Sequence, residues 1–302
     1  MDLFPTIVSW LTYSALLSLM ALGVTLLYRT TKVANFAHAS FVTVGAYVTY
    51  TLTIILSPNP YVGVPVAFVV VGLVGLLLFY AVLEPMRRRN SSAVMLMIAT
   101  LAFDIIMLGV TNIHADYLNT AYKVPSRNVL LSGLDFKFLG EPGILFVALG
   151  TLALCSAAMY LLLNFTTLGI ALRASMENPS LSEAIGINVS MMLAVSWFIA
   201  GGLAGIAGSL IPLWTEINPG IGTILLASIF CASIVGGLEQ IYGAVLGGLL
   251  LGLVDVVGTS VLASIVGPWV SFYEPIIPLI VLSATLIVAP RGLAGLLVRR
   301  GK

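Results

Sequence analysis

Residues 63–83 read GVPVAFVVVGLVGLLLFYAVL, a run of 21 residues without a charged side chain. A helix needs about 20 mostly apolar residues to cross the hydrocarbon core of a membrane. The rest of the 302-residue chain is similar, because 60% of it is hydrophobic, 8% is charged and the mean hydropathy is +1.11. Hydrocarbon offers the backbone no hydrogen bonds, so the sequence predicts an all-α bundle of membrane-spanning helices.

Comparable apolar segments occur along the whole chain. They begin near Pro5, Asn35, Gly63, Ala93, Pro142, Met191, Thr223, Tyr242 and Glu274. The sequence predicts about nine crossings, with about eight to ten as the range, in one transmembrane domain over residues 1–302. The segments that end near Gly236 and Pro290 are short, which also fits re-entrant or broken helices.

The basic residues are unevenly distributed between the two ends of the predicted spans. With the N-terminus outside, only Lys123, Arg127 and Lys137 are external. The cytoplasmic segments then hold Arg29, Lys32, Arg87, Arg88, Arg89, Arg173, Arg291, Arg299, Arg300 and Lys302. Cytoplasmic loops of membrane proteins are rich in Lys and Arg, so this distribution predicts an external N-terminus and a cytoplasmic C-terminus.

The chain contains none of the motifs HExxH, GxSxG or GxxxxGK, so no enzymatic activity is predicted. His38 and His114 are predicted at opposite membrane faces, where they cannot share a metal. Cys155 and Cys231 both fall within spans and are interpreted as small packing residues. A net charge of +1 without a long basic run argues against a nucleic-acid partner.

Polar residues within predicted spans are candidates for a function. Asp104 lies near Thr100 in the fourth span, Asp255 lies in the eighth, and Asn35 and His38 open the second. Each has a structural alternative. Asp104 would lock two helices together, Asp255 would be hydrated near the outer interface, and His38 would donate a hydrogen bond to a backbone carbonyl.

Two polar segments interrupt the spans. The outer one, residues 113–141, is predicted to be a solvated loop with one short helix or a docking surface. In the inner one, residues 165–190, Asn178 can cap a helix whose first residue is Pro179, and Gly186 can end it. Alternatively, Ser180 and Glu183 form a capping box. The resulting amphipathic helix either rests on lipid or receives the motion of a partner.

Glycine is abundant, with 29 copies, and is clustered in GGLAGIAG (201–208) and VGGLEQIYGAVLGGLLLG (235–252). Small residues at this spacing let membrane helices approach closely. Gly236 and Gly237 instead precede a tight turn, which predicts a break between two half-helices. A second predicted break, at residues 28–38, is a faint echo of it in the first half of the chain.

Several stretches together resemble one family. VANFAHASFVTVGAY (33–47), ALRASMENPSLSEAIGINV (171–189), FIAGGLAGIAGSL (198–210), SIVGGLEQIYGAVLGGLLLGLVD (233–255) and APRGLAGL (289–296) are similar, in order and spacing, to motifs of the LivH/LivM-type permeases of branched-chain amino-acid ABC importers. The short chain and the NFAH form favour the LivH side.

The resemblance implies the type II ABC importer transmembrane fold and a multi-pass permease subunit of the plasma (inner) membrane. It implies three kinds of partner besides the lipid bilayer: a second permease subunit, identical or different, two cytoplasmic ATPase subunits and an external substrate-binding protein. The chain itself would bind no cofactor, since ATP and Mg would be bound by the ATPase subunits. The outer loops would contact the loaded binding protein.

The resemblance also implies roles for particular residues. The predicted ATPase-coupling residues are Arg173, Glu177, Asn178, Pro179, Glu183, Ala184, Gly186 and Ile187. The resemblance places Asn35, His38, Gly45, Ser233, Gly236 and Gly237 near the translocation path. Thr100 and Asp104 are added as predicted path residues because they are polar within a span, not because of the resemblance.

Two positions depart from the family pattern. Ala39 stands where the family usually has glycine, and Asp104 stands where it usually has a small residue. These departures bear on which substrate is transported, because related permeases transport urea or short amides. The alternative hypotheses are therefore an ABC permease for such compounds and a self-contained secondary transporter or channel, in which Asp104 and Asp255 would couple ions or protons.

Overall fold

The computed structural model describes residues 3–56, 58–238, 240–267, 269, 273, 276–289 and 292–295. These residues form a helical bundle. Its α-helices are α1 (Leu3–Thr31), α2 (His38–Ile55), α3 (Gly63–Leu78), α4 (Glu84–Arg88), α5 (Ala93–Tyr122), α6 (Gly143–Phe165), α7 (Thr167–Glu177), α8 (Pro179–Ala184), α9 (Val189–Trp214), α10 (Ile221–Gly236), α11 (Gly243–Leu253), α12 (Thr259–Val266) and α13 (Ile277–Val288). Short 3₁₀ turns occur at Pro60–Val62 and Ser132–Leu134, and π-helical turns at Phe79–Leu83 and Val254–Gly258.

Eight helical stretches within the described residues are long and apolar enough to cross a membrane, and α10 is a shorter apolar helix. The predicted segment starts lie within about three residues of the helix starts. Two crossings are continuous through a π-helical turn, namely Pro60–Arg88 and Gly243–Val266. The prediction of an all-α polytopic fold is therefore confirmed. Four of the basic residues used for the orientation, Arg291, Arg299, Arg300 and Lys302, lie outside the described residues.

The central helices are α1, α2 and α9, which are mostly buried. Helix α3 packs along α9, α11 packs along α1, and α10 lies between α2, α11 and α13. Helices α5 and α6 are on the periphery and expose most of their apolar side chains. This arrangement gives the bundle a closely packed interior and an apolar exterior suited to lipid or to another membrane subunit.

The outer segment differs from the predicted loop over residues 113–141. Helix α5 continues to Tyr122 and ends where Lys123 takes a left-handed conformation, φ 54°, two residues before Pro125. At 1.5 Å per residue its 30 residues extend about 45 Å, more than the hydrocarbon core requires. The remaining loop ends in a two-stranded hairpin of β1 (Lys137–Phe138) and β2 (Glu141–Pro142).

Candidate translocation path and coupling segment

The chain is not helical between α1 and α2, where the NFAH motif lies. Asn35 is buried, and its Oδ1 accepts a hydrogen bond from the Ala37 amide at 3.1 Å while its backbone oxygen accepts one from the His38 amide at 3.3 Å. Asn35 thus orders the backbone that leads into α2. The predicted break at this position is confirmed.

Helix α5 supplies the partners of the free amides at the start of α2. Thr100 Oγ1 accepts from the Phe36 amide at 3.1 Å. Asp104 Oδ1 accepts from the Ser40 amide at 3.1 Å and from the Ser40 hydroxyl, which also lies 3.1 Å from the Asp104 backbone oxygen. The first amides of a helix have no partner within the helix, so Asp104 caps α2 from a neighbouring helix. This geometry favours the interpretation of Asp104 as a lock between two helices.

The structural alternatives for His38 and Asp255 can be compared with their surroundings. His38 is fully buried, and its Nε2 lies 3.0 Å from the Met20 backbone oxygen. Asp255 is buried in a π-helical turn and accepts a hydrogen bond from Tyr13 at 3.4 Å. His38 therefore has the predicted backbone partner. Asp255 is buried in the isolated chain, and its hydration near the outer interface stays a prediction.

The remaining predicted path residues lie at close contacts between helices. A Cβ added to Gly45 would lie 2.4 Å from the Gly205 backbone oxygen, and one added to Gly236 would lie 2.1 Å from the Gly243 backbone oxygen. Ser233 is buried and hydrogen-bonds to Thr25.

The predicted break at the glycine pair is confirmed, but only the helix before it is short, because Gly243–Val266 is long enough to cross a membrane by itself. Helix α10 ends at Gly236, and Gly237 has φ 109°, a conformation that favours glycine. Helix α11 then begins at Gly243 and crosses close to the end of α10. Glu239, in the turn between them, lies outside the described residues. The path residues are packed in this conformation, so their role in translocation stays a prediction.

The inner segment contains two short helices rather than one. Asn178 separates α7 from α8 with an extended backbone, because a residue before proline is disfavoured in the helical region. Its Oδ1 accepts from the Leu181 amide at 3.0 Å, and Gly186 ends the second helix with φ 88°. The Asn178–Pro179 start is therefore confirmed over the alternative capping box, and Arg173 lies in the preceding helix α7 rather than in the helix that Asn178 caps.

Helix α8 presents its apolar side chains outward. Leu181 is 59% and Ile185 is 69% exposed, and Glu183 and Ala184 are exposed between them. Ser182 faces the protein and is buried. Helix α7 packs against α6 and α9, and its Arg173 Nη1 lies 3.5 Å from Asn164 Oδ1. The segment is therefore anchored at α7 and free to contact another surface at α8.

Comparison with known proteins identifies the family. The model of the permease component of the branched-chain amino acid transport system matches residues 6–290. The chain belongs to this family. It is a family of transporter permeases rather than of enzymes, and it confirms the predicted resemblance.

Three relatives illustrate the range of this permease family. A probable branched-chain amino acid transport permease, LivH, of Methanocaldococcus jannaschii is 46% identical over 94% of this chain and 90% of its own length. The high-affinity branched-chain amino acid permease BraD of Pseudomonas aeruginosa is 26% identical over 96% and 94%. A tyrosine transport system permease of Clostridioides difficile is 27% identical over 77% and 72%. No solved structure matches the permease.

The sequence interpretation missed one residue beside the coupling segment of the permease. Glu84 of α4 is buried and accepts hydrogen bonds from Arg87 at 2.8 and 3.1 Å, from Arg88 at 2.9 Å and from the Ser190 hydroxyl of α9 at 2.8 Å. A cavity of about 570 Å³ separates this cluster from Gly186. Glutamate with arginine at i+3 and i+4 in EPMRRR was the available signal, but its partner in α9 is 106 residues away.

At the opposite end of the permease, the outer loop is tied to the bundle. The hydroxyl of Tyr47 donates to the Ser126 backbone oxygen at 2.7 Å, and that of Tyr61 donates to Asp135 Oδ1 at 2.5 Å. Asp135 Oδ2 also accepts from the Ile144 amide at the start of α6. Among the described residues no group of three His, Cys, Asp or Glu side chains is placed to hold a metal ion.

Proposed function

We propose that this chain is the permease subunit of an ATP-driven importer for branched-chain amino acids and that it forms half of the translocation path. The family and the relatives named for branched-chain amino acid transport support this substrate class. The relative named for tyrosine transport makes tyrosine the first competitor to test. The partners are a second permease subunit, two ATPase subunits and an external binding protein.

The mechanism is proposed from one observation. Helix α8 exposes an apolar face, and it belongs to a segment that is capped at its start and anchored to the bundle. Leu181 and Ile185 contact solvent in the isolated chain, and burying them against a partner would be favourable. We assign the ATPase subunits as that partner. Their two nucleotide-dependent arrangements bind α8 differently, and this difference moves the bundle between its states.

Orientation follows from the same proposal. The coupling segment lies in the cytoplasm together with Arg29, Lys32 and the Arg87–Arg89 cluster, whereas Lys123, Arg127 and Lys137 lie outside. The binding protein then delivers substrate to the end of the bundle where Tyr47 and Tyr61 hydrogen-bond to the outer loop. Cysteine labelling of intact cells at an added Ser180→Cys tests this arrangement, because external labelling at that position contradicts it.

The coupling assignment is tested with the complete transporter in liposomes. Leu181→Glu places a charge on the exposed face of α8 without entering the bundle. We expect ATPase subunits to be lost on purification and ATP-driven leucine uptake to fall by more than about tenfold, because a charge buried in an apolar contact is strongly unfavourable. For retention of the ATPase subunits the matched control is Leu139→Glu, since Leu139 is 82% exposed in the hairpin at the other end. Retention of the ATPase subunits by both variants would remove α8 as the docking helix.

A further inference from the structure

A cavity of about 310 Å³ lies at the end of the bundle that carries the outer loop. Its walls come from the first half of α1, the outer loop, the start of α6 and the end of α9. Pockets that hold one small molecule begin at about 300 Å³, so the space suits a single compact ligand. None of the predicted path residues, all of which the structure describes, lines this cavity.

The outer loop contributes one charge of each sign to the cavity wall. Asp135 is half-buried, Lys137 is exposed, and both line the cavity. Asp135 Oδ1 accepts from the Tyr61 hydroxyl at 2.5 Å and Oδ2 accepts from the Ile144 amide at 3.0 Å. Both donors are neutral, and a carboxylate can accept about four hydrogen bonds, so Asp135 keeps its negative charge and free acceptor positions.

Neither of these charges is neutralised by a neighbouring side chain. The ion pairs within the described part of the chain join Glu84 to Arg87 and Arg88, and Asp116 to Arg127. Asp135 and Lys137 therefore pair neither with each other nor with another described residue. An ammonium acceptor and a carboxylate donor are thus presented to the same space.

The rest of the wall is mostly apolar. Val8 of α1, Ile144 of α6 and Leu213 of α9 line the cavity together with the half-buried Trp214. The ring of Trp214 stacks on Tyr13 with centroids 4.9 Å apart, which holds the indole in place. These residues form a surface on which an aliphatic group can be buried next to the two charges.

We propose that this cavity binds one zwitterionic amino acid with an apolar side chain. The ammonium group of the ligand donates to the Asp135 carboxylate, its carboxylate accepts from the Lys137 ammonium, and its side chain packs on Val8, Ile144 and Trp214. An amine or a carboxylic acid would match only one of the two charges. The identification of this amino acid with the transported substrate rests on the proposed function.

The position of the cavity defines its role. It touches α1 and α9, which are central helices of the bundle, and it lies at the end that receives the external binding protein in the proposed orientation. The cavity is therefore a receiving site, where the amino acid rests after leaving the binding protein. Ion pairs near water contribute little each, so we expect weak binding, with a Kd on the order of 1 mM.

The first test measures leucine binding in the absence of the binding protein. Titration of the purified permease–ATPase complex with leucine should give a saturable change in tryptophan fluorescence. Trp214→Phe should abolish the change, because Trp214 lines the cavity. Trp10→Phe should retain it, since Trp10 does not line the cavity and its Nε1 donates to the Leu249 backbone oxygen. Absence of a saturable change, or its persistence in Trp214→Phe, would overturn the site.

The second test removes one charge of the site. Lys137→Gln should raise the Kd for leucine about three- to tenfold, the range for a charged hydrogen bond near water, and Lys137→Arg should restore it. Lys137 is exposed, so neither variant should disturb the fold. Lys123→Gln is the matched control, because it removes an exposed positive charge of the same loop region outside the cavity. Equal Kd values for Lys137→Gln and the unmodified protein would overturn the role of Lys137 and with it the site.

A ligand series tests the three parts of the proposed contact. The 2-oxo acid of leucine lacks the ammonium group, 3-methylbutylamine lacks the carboxylate, and glycine lacks the side chain. The first two should bind severalfold more weakly than leucine, and glycine at least tenfold more weakly, because it buries no aliphatic group. Binding of any of the three compounds as tightly as leucine would overturn the zwitterion site.

Uptake measurements separate this site from the proposed function. In liposomes with the binding protein and ATP, Lys137→Gln should lower the initial rate of leucine uptake severalfold. Loss of uptake together with unchanged leucine binding would show that Lys137 contacts the binding protein, and this result would overturn the site. Absence of ATP-driven uptake by the unmodified transporter would contradict the proposed function, whereas normal uptake without leucine binding at the cavity would overturn this inference alone.

Discussion

Gly208 of α9 and Gly247 of α11 have surroundings opposite to those of Gly109 of α5 and Gly150 of α6. A Cβ added to Gly208 would lie 2.0 Å from the Val42 backbone oxygen, and one added to Gly247 would lie 2.0 Å from the Ala232 backbone oxygen. At Gly109 in α5 and Gly150 in α6, an added Cβ would meet nothing within 4 Å. The first pair allows backbones to touch, whereas the second pair faces open space.

This difference divides the bundle into a tightly packed part and a loosely packed part. Association of helices in lipid depends on van der Waals packing and close approach rather than on the hydrophobic effect. Helices α1, α2, α9, α10 and α11 therefore form a tightly joined core, which also contains the predicted path residues His38, Gly45, Ser233 and Gly236. Helices α5 and α6 have glycines without a close partner, and α5 is joined to the core through the polar contacts of Thr100 and Asp104.

The largest expected effect comes from a substitution in the tightly packed part, at the contact between α2 and α9. Gly208→Ala forces a methyl group against the Val42 backbone oxygen, so α2 and α9 must separate. Overpacking of this kind costs about 1–3 kcal/mol and occasionally more, and here it acts against backbone rather than a flexible side chain. We expect a much smaller folded fraction on size-exclusion chromatography and a clearly lower melting temperature in detergent. The matched control is Gly109→Ala, and equal melting temperatures for the two variants would contradict the division.

The second-largest effect is expected at the contact that joins α5 to α2. Asp104→Ala removes the acceptor for the Ser40 amide and should destabilise the bundle by about 1–3 kcal/mol, the cost of an unsatisfied buried group. Asp104→Asn keeps an acceptor oxygen and should lose less. Uptake should fall in proportion to the folded fraction in both variants. An Asp104→Asn protein that melts like the unmodified one but transports nothing would instead place the carboxylate on the path.

Much of the tightly packed part was predictable from local sequence. Apolar runs mark the spans because lipid imposes that composition, and the start of α8 follows from Asn178 and Pro179 alone. The small-residue spacing around Gly208 predicts close packing, but it does not say which helix approaches. Gly109 and Gly150 are also small residues in apolar helices, and only the structure shows that nothing lies against them.

The polar contacts were less predictable because their partners are distant in sequence. Asp104 and Ser40 are 64 residues apart, so the choice between a helix lock and a path residue was open. Glu84 was overlooked because its pairing with Arg87 looks like an ordinary surface ion pair within one helix.

A smaller effect is expected at the contact between α4 and α9. Glu84→Ala leaves the Ser190 hydroxyl and two guanidinium groups without their acceptor. Because Arg88 is 72% exposed, most of its loss is compensated by water, and we expect destabilisation of about 1–2 kcal/mol in thermal unfolding. Arg88→Ala is the control and should change stability by less than about 0.5 kcal/mol. Equal effects of the two variants would show that the buried Glu84–Ser190 contact contributes nothing.

The smallest effect on stability is expected in the loosely packed part, at Gly150 of α6. Gly150→Ala adds a methyl group to the exposed face of α6, and alanine favours a helix over glycine by about 0.5–1 kcal/mol, so the melting temperature of the chain should stay equal or rise slightly. The same variant reports on what covers that face in the complete transporter. A methyl group next to lipid displaces only mobile acyl chains, so we expect the permease pair to co-purify with this variant as with the unmodified chain. A chain that melts normally but fails to pair would show that the second permease subunit packs on Gly150, and α6 would then belong with the glycine-mediated contacts of the core.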